Sequence, residues 1–218
     1  MNHELQEYRK EINNIDNQIM ELLSKRQKVV NNVSDLKSDS LKNSFIMPQR
    51  EKSMIQLLQK QNPNIDPHLI QYLWRGIISY SLYSEKPFKI HLSKQCKSAE
   101  LLAYFPSPIP KNFHPDITSI VNNIKNTTND LIVLNYNEVI DNYKVITKNN
   151  FFCFKRFSTD KSLVFGVIKP EFLANEVNLY IEGINNGKDA SNSLYKKDDL
   201  IIIERNEKDL NSLYIGSY

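Results

Sequence analysis

From Leu5 to Leu36 the apolar side chains recur at alternating steps of three and four. One row is Leu5, Ile12, Ile19 and Val33; the other is Tyr8, Ile15, Leu22, Val29 and Leu36. These are the a and d rows of a heptad, sustained for about four and a half repeats. The span holds neither Pro nor Gly, so the spacing predicts one unbroken helix of about 35 residues, on the order of 50 Å long. A seam of that length needs a partner along all of it. Ser38 to Met47 is a polar connection. Pro48 then suits the first turn of a second helix running to about Gln61. Asn62-Pro63-Asn64 makes a turn, and Asp66 caps a third helix that begins at Pro67 and ends by Lys86-Pro87. Its apolar stripe is Leu69, Ile70, Leu73, Trp74, Ile77, Ile78 and Leu82.

Beyond Pro87 the pattern changes to short runs rich in β-branched and aromatic residues. Strands are predicted at 88–92, 130–136, 150–157, 162–169, 178–184, 199–205 and 213–218, with helices near 98–105 and 116–126. The fold expected is therefore α+β in two domains: a three-helix domain over residues 1–88 and a strand-rich α/β domain over 89–218.

Composition narrows the picture only a little. A content of 40% hydrophobic and 24% charged residues is ordinary for a globular protein, and a net charge of +3 dispersed along the chain gives no nucleic-acid footprint. No apolar run is long enough to span a bilayer, and the N-terminus is charged where a signal peptide would be apolar. The expectation is a cytoplasmic protein with neither nucleic-acid nor membrane partners. Cys96 and Cys153 have no metal or redox spacing and read as buried free thiols. The four histidines, His3, His68, His91 and His114, are scattered and receive no role.

One position in the heptad is wrong for packing. The a row runs Leu5, Ile12, Ile19, then Arg26, then Val33, and a cation in a buried seam is costly unless an anion meets it. A lone arginine there would most simply snorkel to solvent or fix the register. Lys37, however, returns to nearly the same face, Arg9 flanks the seam, and Arg50 and Glu51 open the second helix. Ser81 and Glu85 continue the third helix's apolar stripe with polar groups. Cations and hydrogen-bonding groups converging on a helical core describe a pocket for a small polyanion. Arg75 shares the third helix but lies off that stripe, as a neutral position.

The run L-x-x-Y-R-x-E-I-x-x-I-D-x-Q-I-x-E-L-L-x-x-R from Leu5 to Arg26 resembles the opening of the all-helical chorismate mutase family. Lys37, Pro-x-Arg-Glu at 48–51 and LWRGIISYSLYSE at 73–85 follow at the family's spacing. The segment from Trp74 to His91 further resembles alphaproteobacterial chorismate mutases that carry an extra C-terminal domain. The resemblance implies an intertwined helical homodimer that converts chorismate to prephenate without metal or cofactor. It implies that Arg9 reaches a substrate carboxylate across the dimer and that Arg26 binds one from its own chain. Lys37 would donate to the ether oxygen and a carboxylate, and Arg50 would hold the ring carboxylate. Glu51 would accept from the ring hydroxyl, and Ser81 would contact the ring carboxylate. Glu85 stands where bacterial members usually have Gln, the second donor to the ether oxygen; Met47 replaces an acidic residue found in some members. Lys37, Glu85 and Arg26 are thus the catalytic candidates.

The chemistry agrees. The rearrangement is pericyclic, so the protein need only hold the folded dianion and stabilise charge growing on the ether oxygen. Cations and donors without His or Cys suit that task. Residues 89–218 resemble, more faintly, the dehydratase and regulatory parts of bifunctional chorismate mutase–prephenate dehydratases. The dehydratase Thr-Arg-Phe motif would fall on Lys155-Arg156-Phe157, with the threonine lost, so an accessory domain that supports assembly or binds a regulator is expected. An isochorismate pyruvate-lyase and a non-catalytic ligand-sensing paralogue are the alternatives; dispersed charge argues against a coiled-coil nucleic-acid binder.

Overall fold

The computed structural model describes residues 3–36, 46–93, 96, 99–105, 108–124, 129–159, 161–167, 173, 177–183, 193–197, 200–206 and 213–218. It divides the chain into two compact units, residues 1–40 and 41–218.

The first unit is a single helix, α1 (His3–Leu36), as the heptad predicts. None of its residues is buried, and both rows of the seam lie open, from Val33 at 42% exposed to Leu36 at 83%. The polar connection expected at 38–47 falls largely outside the described residues.

The second unit begins with α2 (Pro48–Gln61) and α3 (Pro67–Glu85), each opened by its proline. The Asp66 carboxylate accepts from the backbone N–H groups of His68 and Leu69, capping α3 as its sequence predicts. Gln59 donates to the Pro67 carbonyl at 2.9 Å across the turn, and α2 packs on α3.

Among the described residues a nine-stranded mixed sheet follows: β1 (Ile90–Ser93), β2 (Lys111–His114), β3 (Leu131–Asn135), β4 (Phe152–Phe157), β5 (Ser162–Gly166), β6 (Asn178–Gly183), β7 (Ser193–Lys197), β8 (Leu200–Arg205) and β9 (Leu213–Ser217). The spatial order is β2-β1-β3-β5-β4-β9-β6-β8-β7. Strands β2, β1 and β3 are parallel, the β4–β9 contact is parallel, and the other pairs are antiparallel. Three helices lie among the strands: α4 (Ala99–Tyr104), α5 (Ile117–Ile124) and α6 (Tyr136–Lys148).

Strand alternation sorts the side chains into two cores. Ile132 and Leu134 of β3 face α5 and α6, joining Ile120, Val139 and Phe165. Leu131 and Val133 face the other way, joining Phe88, Ile90, Leu101 and Phe105, with Leu82 and Tyr83 of α3 packed on the same cluster. The third helix is therefore shared: it packs on α2 and also covers part of the sheet.

The two halves of the sheet meet where β4 touches β9 through Cys153 and Gly216. Gly216 has φ +146°, and a Cβ there would run into the Cys153 backbone. Gly216→Ala should cost at least about 2–3 kcal/mol, combining backbone strain with a clash that no rotamer relieves. A urea titration of the two proteins measures this, and equal midpoints would show that the junction can give way.

Candidate functional site

The candidate residues that the structure describes sit on three helices. On α1, Arg9 is exposed and Arg26 half-buried, and burial holds the Arg26 guanidinium below its ordinary pKa. The helix is continuous between them, so their 17-residue separation is about 25 Å along the axis. Lys37 lies outside the described residues. On α2, Arg50 is exposed in the first turn while Glu51 is buried, at 8% exposed. On α3, Ser81 is buried and donates to the Ile77 carbonyl at 2.8 Å, so contact with a carboxylate would require its hydroxyl to turn. Glu85, half-buried, closes the helix.

Glu51 is gathered with a residue the pattern had placed aside. Arg75 is not a neutral position: it is 6% exposed. Its Nη1 donates to Glu51 Oε2 at 2.6 Å and to the Tyr104 hydroxyl at 3.1 Å. Its Nε and Nη2 donate to Ser79 Oγ at 3.3 and 3.2 Å, and Ser79 Oγ donates in turn to the Tyr104 carbonyl at 3.0 Å. The guanidinium carbon lies 4.2 Å from the Tyr104 ring centre. Burial opposes the Arg75 charge, yet Tyr104 and Glu51 hold its pKa above the ordinary value. Burial pushes the Tyr104 phenol up to about 12. The physical reason for the difference is that α3 buries a second side, Arg75 and Ser79, continued at helical spacing by half-buried Tyr83, which faces α4 and the sheet.

Two histidines that seemed scattered are also brought together. Parallel pairing places Ser93 opposite His114 and His91 two positions back, on the same face of the sheet. His91 Nδ1 and His114 Nε2 are 2.8 Å apart, and His91 Nε2 lies 3.1 Å from Asp130 Oδ2. The two ring planes are inclined by 26°, with centres 5.0 Å apart. Asp130 Oδ1 accepts from the Lys89 N–H at 2.8 Å. Burial lowers the His114 pKa, nearby His91 lowers it further, and Asp116 partly opposes both. Since the fold favours neutral His114, its contribution to stability is complete above the ordinary value of 6.5 and is lost as pH falls below it. Stability should thus drop between pH 7.5 and 5, and less so in His114→Asn. Identical drops in urea midpoint would assign the slope to other groups.

The two cysteines are buried and free, as expected; burial pushes the Cys153 thiol up to about 12. Among the described residues no helix is long and apolar enough to cross a membrane.

Comparison with known proteins defines a class for the helical region. Residues 8–86, spanning α1 to α3, match the family described as chorismate mutase type II, which agrees with the resemblance carried by the motifs. The chain is 34% identical over 147 residues to the bifunctional chorismate mutase/prephenate dehydratase of Buchnera aphidicola subsp. Schizaphis graminum (strain Sg), an alignment covering 63% of this chain and 36% of that protein. The alignment is longer than the helical match, so part of the sheet region shares in the similarity. The chain spans about a third of the length of this curated relative. No solved structure matches it.

Proposed function

We propose that the chain is a chorismate mutase of aromatic amino-acid biosynthesis, binding chorismate as a folded dianion and stabilising charge on its ether oxygen. The observation that supports this reading best is the match over residues 8–86. Within it, a half-buried arginine interrupts an otherwise apolar seam, as a dianion site requires. Residues 1–88 would carry the activity and 89–218 would form a degenerate dehydratase- or regulatory-like accessory domain. Lys37, Arg26 and Glu85 would act on the breaking bond, with Arg9, Arg50, Glu51 and Ser81 holding the substrate. The test is loss of chorismate absorbance with purified protein, followed by acid conversion of the product to phenylpyruvate. Turnover of isochorismate with release of pyruvate, and none of chorismate, would favour the lyase instead.

The active species is a homodimer joined through α1. A solitary helix with its seam in water is marginal at best, and here every apolar residue of the seam is exposed. Arg9 and Arg26 are too far apart to meet one small substrate in a single chain, whereas an antiparallel partner helix brings the second Arg9 to Arg26. Light scattering should give twice 25.5 kDa, and Ile19→Glu should abolish both the dimer and turnover. An active monomer would refute the arrangement.

A further inference from the structure

A cleft of about 300 Å³ lies between α3, α4 and β4, at the lower bound of ligand pockets. Lys155 of β4 is half-buried in its wall, with its ammonium 5.5 Å from the Tyr104 ring centre. The charged and titratable groups about it are Glu100 and Tyr104 of α4, Arg75 and His68 of α3, Lys52 of α2 and Arg156 beside it on β4. Among the described residues no ion pair or hydrogen bond takes up the ammonium. Burial lowers its pKa; Glu100 raises it, and Arg75 and Lys52 lower it further. Desolvation beside other cations is the setting in which a lysine becomes a nucleophile. Glu100, on the same wall, supplies a second group. Thr159 Oγ1 donates to its Oε1 at 3.1 Å, whereas its Oε2 is buried with no hydrogen-bond partner among the described residues. A carboxylate oxygen left in that state is costly and ready to take a proton. Imine formation needs both: an amine that is partly neutral, and an acid–base group that moves protons between nitrogen and oxygen.

We propose that Lys155 captures short open-chain 2-oxo acids as an imine, with Glu100 as the proton-transfer group. The neutral amine adds to the ketone carbon, and a nitrogen proton passes through Glu100 to the new alkoxide, giving a carbinolamine. Glu100 then carries the remaining nitrogen proton to that hydroxyl, which departs as water while the carbon–nitrogen double bond forms. Nothing is oxidised or reduced, and hydrolysis reverses each step and frees the lysine. The surplus of cations on the wall favours an anionic partner, and the volume favours a short one. Glu51 is not among the residues that line this cleft, and the chemistry stands independently of the mutase reading.

In the experiment the full-length protein is treated with pyruvate and cyanoborohydride, which reduces an imine but spares the ketone, and the product is mapped by peptide mass. One reduced pyruvyl group per chain is expected, on Lys155, formed at least about tenfold faster than on any other lysine. The rate at Lys155 relative to exposed Lys28 should be largest near neutral pH and fall as the pH approaches 10.5, the ordinary lysine value. Lys52→Met removes a neighbouring cation and should lower that ratio severalfold at neutral pH. Glu100→Gln should slow labelling of Lys155, although losing a negative charge enlarges the neutral amine fraction; a carboxylate acting through its charge alone would give the opposite sign. Lys155→Arg should leave no preferred lysine. Acetone, without the carboxylate, should be trapped at least about tenfold more slowly than pyruvate. Labelling spread evenly over the lysines, or a ratio independent of pH, overturns the proposal. Faster labelling in Glu100→Gln overturns its part in proton transfer, and acetone trapped as fast as pyruvate overturns the preference for an acid.

Discussion

Arg26→Ala and Lys37→Ala are each expected to lower kcat/KM for chorismate by a factor on the order of 10² or more, the loss usual for a preorganised donor at developing charge. On the proposed mutase reading the substrate would be a dianion and the reaction would need no nucleophile, so fixed cations would be the main means of lowering the barrier. Arg26 is half-buried on a seam otherwise built from Leu, Ile, Val and Tyr. On the proposed role, removing its guanidinium would leave a substrate carboxylate facing apolar side chains, a cost paid in both ground and transition states. Lys37, assigned by the family resemblance to the ether oxygen, should show its loss mainly in kcat. Glu85→Gln points the other way. An amide always has an N–H to donate, whereas a carboxylate donates only when protonated, so the variant should keep or raise activity at neutral pH and flatten its pH dependence. Steady-state kinetics from about pH 5 to 9 separate these cases. Small, equal losses for Arg26→Ala and Lys37→Ala would mean that the site lies elsewhere.

The helical half was legible because its signals are local. Heptad spacing marks α1, and Pro48 and the Asp66-Pro67 pair mark the starts of α2 and α3 to the residue. The seven expected strands are all present. Strands β2 and β7 escaped because KNFH is four residues beside a proline and SLYKK is a polar edge strand. Helix α6 escaped because Val139, Ile140, Val145, Ile146 and Thr147 are β-branched, which lowers helix propensity. A signal was nevertheless present: Asn135 and Glu138 form a reciprocal capping box. The His91–His114–Asp130 cluster was not legible, because its members meet only through parallel strand pairing across 23 and 39 residues. Of the candidate site, residue types and order could be read, but the partner of Glu51 could not. Arg75 looked peripheral because a single apolar stripe was assigned to a helix that buries two faces.

That second face carries the largest expected effect on stability. The Arg75 and Glu51 side chains are 8% and 10% exposed and meet at 2.6 Å. Removing one member of such a pair strands the other charge in a medium that solvates it poorly, a loss of about 3–5 kcal/mol. Arg75→Ala also takes away the donor to the Tyr104 hydroxyl and both donors to Ser79, so it should rank among the most damaging substitutions on α3. Glu51→Gln keeps a group able to accept from Arg75 and should cost less. The double variant Arg75→Met/Glu51→Leu separates charge from packing: with both charges gone, neither is left unpaired, and apolar side chains of similar volume fill the space. Its stability should exceed that of Arg75→Ala even though two residues have changed. Urea titrations of the single and double variants supply the comparison. If Arg75→Ala unfolds at the wild-type midpoint, the pair is not buried in solution, and α3 does not pack against α4 as described.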